Sequence, residues 1–474
     1  MKQLHLWIDN QPVNTKETMP VYNKATGECI AEMAIAGADE ICAAADAAEK
    51  AFRTIPLSPY ERYAVIHKAA ELLLERQESF AAMLSAEAGK PLHDARGEIS
   101  RAYQTLILSA EEAKRLRGET VPLQGAPGCA QRLAYTIRQP LGVICAITPF
   151  NFPVNLAAHK IGPALAAGNT VIYKPASATP VTASMLCKVF YDAGLPAGCL
   201  NLITGSGSVV GNLLTQDQRI KMFSFTGSVP VGQALQKAAG FRRVALELGS
   251  NSANIVHEDV ADLPKTAAAC ARYAFSNAGQ VCISCQRVYV SRRIYEKFCQ
   301  QAAAFARTFH GGDLQKDTTC LGPMIAEKEA IRIENWVHEA LEQGARILVG
   351  GQRQGAFFEP TILTNVSPAM KVICNEVFAP VFSIIPYDTI EEAVAGVNAS
   401  HYGLQAGVFT SSIRIAHYCA EHIETGGVII NDGSSFRMDN MPYGGVKDSG
   451  IGREGPEYAI REFTEEKLIV MNFA

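Results

Sequence analysis

Cys282 stands in Asn277-Ala278-Gly279-Gln280-Val281-Cys282-Ile283-Ser284, and no charged residue occurs from 278 through 286. A cysteine in so apolar a run is either a small buried hydrophobe or a nucleophile, and the second role needs access and thiolate character. Cys285 completes a Cys-X-X-Cys pair, but no second pair exists to make a zinc site. A thioredoxin-like site would need the pair at a helix start after the first strand, so no metal is expected and Cys285 reads as a structural neighbour. Upstream, Glu247 is the one carboxylate in Val244-Ala245-Leu246-Glu247-Leu248-Gly249. On the buried side of a strand its pKa would rise towards that of a general base; facing solvent it would be an ordinary strand-end acid. Asn151 lies between Pro149 and Pro153 in Thr148-Pro149-Phe150-Asn151-Phe152-Pro153. The prolines stiffen the loop, so the amide is either a turn residue or an aimed oxyanion donor. Thiol, base and amide are the parts with which a carbonyl carbon can be carried through a thioester.

Phosphate-binding signals are present but loose. Gly205-Ser206-Gly207-Ser208-Val209-Val210-Gly211 is one residue out from Gly-X-Gly-X-X-Gly, and Phe225-Thr226-Gly227-Ser228-Val229-Pro230-Val231-Gly232 is looser still. Each follows a strand candidate and precedes a helical one, so each could turn a helix N-terminus towards a phosphate. Lys174-Pro175 follows Thr170-Val171-Ile172-Tyr173 and puts a cation at a strand's C-terminal edge, where α/β folds bind ligands.

The elements that must carry these residues follow from texture. With 474 residues the chain is too long for one ordinary core. A net charge of −4 without basic clusters predicts no nucleic-acid partner, and no run is long enough to span a membrane. The thirteen cysteines and an N-terminus without an apolar export segment predict reduced thiols in the cytoplasm. Residues 1–22 read as short strands and 39–116 as helical, with a stop at Gly89-Lys90-Pro91. Residues 117–138 read as an extended arm.

From Leu141 strand candidates alternate with Ala/Leu helices: Val143–Ile147, Thr170–Tyr173, Leu200–Ile203, Met222–Phe225 and Arg243–Leu246. This predicts a doubly wound parallel sheet. A second alternating set runs through Ala253–Val256, Arg287–Val290, Arg346–Val349, Val381–Tyr387, Ala406–Phe409 and Gly427–Asn431. The tail Lys467–Phe473 reads as a lone strand without a local partner, suited to pairing with another subunit.

Taken in order, Pro149–Pro153, Lys174-Pro175, Phe225–Ser228, Leu246–Gly249, Gly279–Cys282, Glu376-Val377-Phe378-Ala379-Pro380, Asn431-Asp432 and Pro442–Lys447 with Ser449-Gly450 resemble the NAD(P)-dependent aldehyde dehydrogenase superfamily along nearly the whole chain. The resemblance implies an α/β fold of three parts. A Rossmann-like dinucleotide-binding domain would take 1–116 and 139–247, an α/β catalytic domain 248–442, and a β-arm for oligomerisation 117–138 with 455–474, in a homodimer or homotetramer.

The resemblance also implies roles. Cys282 attacks the aldehyde, Asn151 and the Cys282 N–H hold the oxyanion, and Glu247 activates water. Thr148, Pro149, Phe150, Lys174, Ser177, Gly207, Gly211, Phe225, Thr226, Gly227, Ser228, Leu248, Gly249, Glu376 and Phe378 contact NADP or NAD. Serine at 177, where NAD-preferring members often carry glutamate, removes a repulsion from a 2′-phosphate and predicts that NADP is accepted.

Gly279–Ser284 and Ser435–Pro442 resemble the branch acting on lactaldehyde, glyceraldehyde 3-phosphate, phosphonoacetaldehyde or sulfolactaldehyde, so a small oxygenated, anionic aldehyde is the expected substrate. Arg101 and Arg437 are the candidate anion binders, and Phe152, Val281 and Ile283 the tunnel walls; His159 and Arg287 rank below them. Arginine's planar fork suits a carboxylate, phosphonate or sulfonate, whereas a surface arginine would need no explanation. Val281 stands where a phosphate-binding relative often carries arginine, which disfavours a phosphorylated substrate. The competing readings are a CoA-acylating or non-phosphorylating glyceraldehyde-3-phosphate enzyme, a non-catalytic relative, and a thiol hydrolase working without redox chemistry.

Overall fold

The computed structural model describes every residue except Met1, Ala130 and Ala474. The first sheet has eight strands, and its middle is built from the predicted alternation. Arg243–Glu247, Ile220–Thr226, Val143–Ile147, Thr170–Lys174 and Leu200–Leu202 lie side by side in that order, all parallel. Chain order reverses between Val143–Ile147 and Ile220–Thr226, which opens a crevice at their C-terminal ends where such sheets take ligands. The residues 148–151, 226–230 and 248–249 all leave strands at this end.

The edges of this sheet are antiparallel. Leu6–Ile8 and Gln11–Val13 extend one side, and Gly450–Ile451 pairs with Leu246 and Glu247 on the other. That last pairing explains Ser449-Gly450. The Gly450 φ is +150°, and a Cβ there would stand 2.1 Å from the Leu246 carbonyl oxygen, so only glycine lets the C-terminal segment lie against the strand that carries Glu247.

The second sheet has seven strands: Arg346–Val349, Thr361–Thr364, Val381–Tyr387, Arg287–Ser291, Ala253–Val256, Gln405–Phe409 and Gly427–Ile430. All pairs are parallel except Arg346–Val349, which runs antiparallel to Thr361–Thr364, a strand the sequence reading passed over. Helices cover both sheets, and no helix among the described residues is long and apolar enough to cross a membrane.

Buried carboxylates join the helical layer to the site. Glu98, on the helix Leu92–Ala113, accepts the backbone N–H groups of Val154 and Asn155 at 2.8 and 3.2 Å. It thereby caps the helix Asn155–Ala166 that follows the Asn151 loop. Glu98 also pairs with Lys90, likewise buried.

The tail corrects one expectation. Thr464–Asn472 is not a lone strand: it pairs antiparallel with Arg132–Pro140 over its full length, within the same chain, and Thr120–Val121 flanks it. Leu133, Leu468, Val470, Met471 and Phe473 leave apolar surface exposed on this ribbon.

Candidate active site

The loop that carries Cys282 is shaped by three consecutive left-handed residues. Asn277, Ala278 and Gly279 have φ of +53°, +55° and +68°. A Cβ on Gly279 would meet the Ala379 carbonyl oxygen at 1.9 Å, so glycine here lets the loop nest against the segment that follows Glu376. Asn277 donates to the carbonyls of Asn151 and Gln280 at 3.2 and 3.3 Å, and Gln280 donates back to the Asn277 carbonyl at 3.2 Å. The Asn151 loop and the Cys282 loop are therefore one hydrogen-bonded unit.

Within it, the Asn151 Nδ2 donates to the Gln280 carbonyl at 2.9 Å, which leaves its second N–H unspent. Among the described residues no acceptor takes the Cys282 backbone N–H. Two donors beside one sulfur make a ready oxyanion site.

The Cys282 sulfur lies 2.9 Å from the Tyr443 hydroxyl. Burial pushes the thiol up to about 11, against the pull of the Tyr443 hydrogen bond and the Arg437 charge. Glu247 is buried, and its Oε2 has no hydrogen-bond partner among the described residues. Burial, then the nearby Glu454 charge, hold its carboxyl well above the usual range, and Lys160, Arg437 and Arg453 only partly compensate. This is an environment that makes a carboxylate a stronger base than it is in water.

On one side of Cys282 opens a cavity of about 830 Å³. Pro149, Phe150, Thr226–Ser228, Leu248-Gly249, Glu376 and Phe378 all line it, together with Cys282 and Asn151. A Cβ on Gly249 would stand 2.4 Å from the Glu376 carboxylate, whose Oε1 accepts the Ser250 N–H at 3.0 Å. Burial raises Glu376 to about 7. Phe378, at φ +48°, sets its ring edge-on to Phe150 with centroids 6.0 Å apart. Among the described residues the Thr226 hydroxyl is buried without a partner, and the helix Val229–Ala239 starts at Ser228 with no side-chain cap. Open backbone donors at a helix start, an apolar wall made by two packed rings and a carboxylate fit a dinucleotide.

Other residues expected at the cofactor are not brought to this cavity wall. Thr148 turns its hydroxyl to Tyr173 at 3.2 Å, inside the core. Phe225 packs in the core beneath Gly227. Lys174 is buried with its ammonium on the Pro175 carbonyl at 3.2 Å, and burial lowers its pKa. Ser177 donates to the Gly205 carbonyl at 2.9 Å, while Ala178 of the same loop lines the cavity. Gly207 and Gly211 lie on the helix Gly207–Gln216, with open space where their Cβ atoms would be.

The other side of Cys282 is a charged cluster that the sequence reading saw only in part. Arg437 lies flat on the Tyr443 ring, 3.6 Å from its centroid, and bonds Glu454 at 2.9 Å. Glu454 also holds Lys160 at 2.9 Å. Arg101 grips Asp439 with two bonds of 2.7 and 3.1 Å, and Asp439 further accepts from Asn155 and pairs with His159. Burial alone would raise both carboxylates, but His159 and Arg101 hold Asp439 low, and Lys160 and Arg437 hold Glu454 low. Burial and the Arg437 charge lower His159, which keeps it neutral.

Both expected anion-binding arginines therefore already have carboxylate partners. Arg101 remains 34% exposed, its Nη1 unbonded among the described residues. Phe152 carries Lys90 over its ring at 3.8 Å. Ile283 is buried against Leu404 and Tyr443 with Val281 beside them, and its carbonyl accepts the hydroxyls of Ser434 and Ser435. Those two bonds clamp the Arg437 loop to the Cys282 loop.

Arg287 lies elsewhere, bonding the Asn251 carbonyl and those of Gly396 and Val397 at the end of the helix Ile390–Asn398. Cys285 is buried, with the Asn254 amide on its sulfur at 2.9 Å. Tyr443, Asp439, Glu454 and Lys160 were missed: no local spacing signals them, since Asp439 meets Arg101, and Glu454 meets Lys160 and Arg437, only across the fold.

A sheet with a switch-point crevice, a cysteine between a dinucleotide-sized cavity and a charged cluster, and a buried carboxylate nearby are the setting of a dinucleotide-dependent oxidoreductase. Residues 7–469 match the aldehyde dehydrogenase family, and the chain belongs to it. It is an NAD(P)-dependent aldehyde dehydrogenase. It is 51% identical over 472 residues to the 3-sulfolactaldehyde dehydrogenase of Priestia aryabhattai, a match covering 100% of this chain and 98% of that one. Its fold superimposes with a TM-score of 0.97 on aldehyde dehydrogenase 21 from Physcomitrella patens in complex with the product succinate, at 38% identity over 99% and 98% of the two chains. The same score relates it to the NADP-dependent glyceraldehyde-3-phosphate dehydrogenase of Bacillus halodurans complexed with NADP, at 35% identity and full coverage of both.

Proposed function

We propose that this enzyme oxidises a small, oxygenated, anionic aldehyde to its carboxylic acid, 3-sulfolactaldehyde being the foremost candidate, and that Cys282, Asn151 and Glu247 carry the chemistry. The supporting observation is the charge on the substrate side. Four cations (Lys90, Arg101, Lys160 and Arg437) stand among three carboxylates (Glu98, Asp439 and Glu454), with Arg101 still accessible. With the nearby Glu247 carboxyl raised towards its neutral form, this cluster carries a surplus positive charge, which favours an anionic head group.

The Cys282 thiolate adds to the aldehyde carbon, and the oxyanion rests on the second Asn151 N–H and the Cys282 N–H. Bound NAD(P) supplies the hydride acceptor. Loss of hydride leaves a thioester on Cys282. Glu247 takes a proton from water, whose oxygen displaces the sulfur, and the acid leaves. Aldehyde, water and oxidised cofactor thus give acid, reduced cofactor and one proton. Phe150, Phe378 and Glu376 hold the nicotinamide end, and NADP is the proposed preference, with Ser177 offering no negative charge to its phosphate. The division into 1–116 with 139–247, 248–442, and 117–138 with 455–474 is retained as the proposed domain plan. The exposed apolar ribbon suits a homodimer or homotetramer, and the buried thiols suit the cytoplasm.

The test is kcat/KM with NADP for sulfolactaldehyde, phosphonoacetaldehyde and L-lactaldehyde. An advantage of about a hundredfold for an anionic aldehyde, roughly 3 kcal/mol of recognition, is expected. Equal or better turnover of neutral lactaldehyde would overturn the substrate class, and activity surviving Cys282→Ala would overturn the chemistry.

A further inference from the structure

The thiol presents a problem that the three expected catalytic residues leave open. Cys282 must react as a thiolate, yet among the described residues the hydrogen bond to its sulfur comes from a phenol and no ion pair includes it. Either partner can donate in the Tyr443–Cys282 bond while the cysteine is a thiol. Once the sulfur is charged, only the tyrosine can. Tyr443 is 3% exposed, and burial followed by the Cys282 charge keeps its phenol well above the ordinary tyrosine range, so it stays protonated and cannot act as the base. Behind the ring lies Arg437, face to face at 3.6 Å, fixed by Glu454, which Lys160 fixes in turn.

We propose that Tyr443 is a further catalytic residue, whose hydroxyl donates to the Cys282 thiolate, and that Arg437 is its positioning residue, lending positive charge through the ring face. The cation–π stack polarises the phenol and strengthens the donated bond. The thiol proton leaves to water, and Tyr443 keeps its own. As sulfur bonds to the aldehyde carbon its charge passes to the oxygen, and the Tyr443 bond relaxes to an ordinary one. The charged and titratable groups facing the sulfur are Tyr443, Arg437, Glu376 and Glu247. Only the first two favour the thiolate. This inference rests on Cys282 being the nucleophile.

The experiment is the pH profile of Cys282 alkylation by iodoacetamide in the cofactor-free protein. It is read in short pH pulses from 6 to 11.5 by mass spectrometry of the Cys282 peptide, because Cys29, Cys42 and Cys320 are exposed. Tyr443→Phe removes one oxygen and keeps the ring under Arg437. A charge-assisted hydrogen bond corresponds to about one to two pH units, so the midpoint should rise by that much. Below it, alkylation should slow about 3- to 10-fold, because the thiolate fraction falls while the remaining thiolate grows more nucleophilic. By pH 11.5 the parent, with its thiol at about 11, should be levelling off while the variant still rises about tenfold per pH unit, a crossover in slope that narrows the gap between them.

That crossover separates thiolate stabilisation from a packing role, since a Tyr443 that merely walls the site would slow the reaction equally at every pH. A uniform slowing, or an unchanged midpoint, overturns the proposal. Arg437→Lys keeps a charge opposite Glu454 without the planar stack and should raise the midpoint by less. No shift there overturns the positioning role. If Cys282→Ala still turns over aldehyde, the chemistry proposed above fails instead, and the two failures are distinguishable.

Discussion

Replacing Arg101 by methionine should separate anion recognition from catalysis. The guanidinium is two-thirds buried and holds Asp439 with bonds of 2.7 and 3.1 Å, its Nη1 free to meet a substrate. An anion about 4 Å away would gain about 4 kcal/mol at an effective dielectric constant of 20. Exposure of 34% and sharing with Asp439 reduce this to about 1.5–2.5 kcal/mol. The variant should therefore lose about 10- to 70-fold in kcat/KM on an anionic aldehyde.

Two further consequences follow from the geometry. Asp439 keeps its bonds to His159 and Asn155, so the recess persists and neutral lactaldehyde should change by less than about threefold. Because Arg101 is partly solvated, raising ionic strength from about 0.05 to 0.5 M should erode the parent's preference for the anion and leave the variant's unchanged. The assay is initial-rate formation of reduced nicotinamide with matched anionic and neutral aldehydes. Equal losses on both substrates would mean that Arg101 only shapes the helix Leu92–Ala113, and no loss would mean that the anion binds elsewhere.

Glu247→Gln should retain a rapid burst of reduced cofactor while steady turnover falls about 10²- to 10⁴-fold, the usual worth of a positioned base; loss of the burst would put Glu247 in the first half-reaction instead. Glu376 carries a stability signature. Its folded value of about 7 lies above the 4.5 of an open chain, so the folded state binds the proton more tightly and stability falls as pH rises through that window. The full effect is about 3 kcal/mol, reduced to roughly 1–3 by partial solvation. Glu376→Gln should remove that slope in the cofactor-free protein, and a Tm difference from the parent that does not grow between pH 5 and 8 would contradict it. Ser177→Glu should shift the NADP to NAD ratio of kcat/KM towards NAD by about tenfold or more, and an unchanged ratio would remove this loop from cofactor choice.

The parallel strands were legible because each is a short apolar run between helices of ordinary length, and period and punctuation suffice for such elements. The Cys282 loop was legible for a different reason. Gly279 and Gly249 occupy positions where any Cβ would strike Ala379 or Glu376, and sterics of that kind leave their mark in the local sequence. The C-terminal strand was misread because its partner, Arg132–Pro140, lies some three hundred residues upstream in a segment read only as an arm. The Lys160–Glu454–Arg437 chain was illegible because each charge reads as a surface residue until the fold buries all of them together. Sequence patterning records burial of apolar groups, whereas buried charge is a property of three-dimensional neighbours.

That buried charge explains how one cysteine can serve two ligands of different character. The cofactor side is lined by rings, backbone amides and Glu376, with Lys24, Lys328 and Arg332 also on its wall, so it offers a dinucleotide both apolar surface and cations. The substrate side concentrates its cations on the helices Leu92–Ala113 and Asn155–Ala166 and on the loop at Arg437, and every one is tethered to a carboxylate. Tethering fixes where the charge stands before substrate arrives, so little reorganisation is needed when an anion enters or when charge moves from sulfur to oxygen. It also makes the arrangement brittle. Removing Glu454 would leave Lys160 and Arg437 buried without a counter-charge, which costs about 3–5 kcal/mol for such a pair and would free Arg437 from the Tyr443 ring. Among the described residues Glu454 has no hydrogen bond to Cys282, yet the proposed nucleophile depends on it through Arg437 and Tyr443.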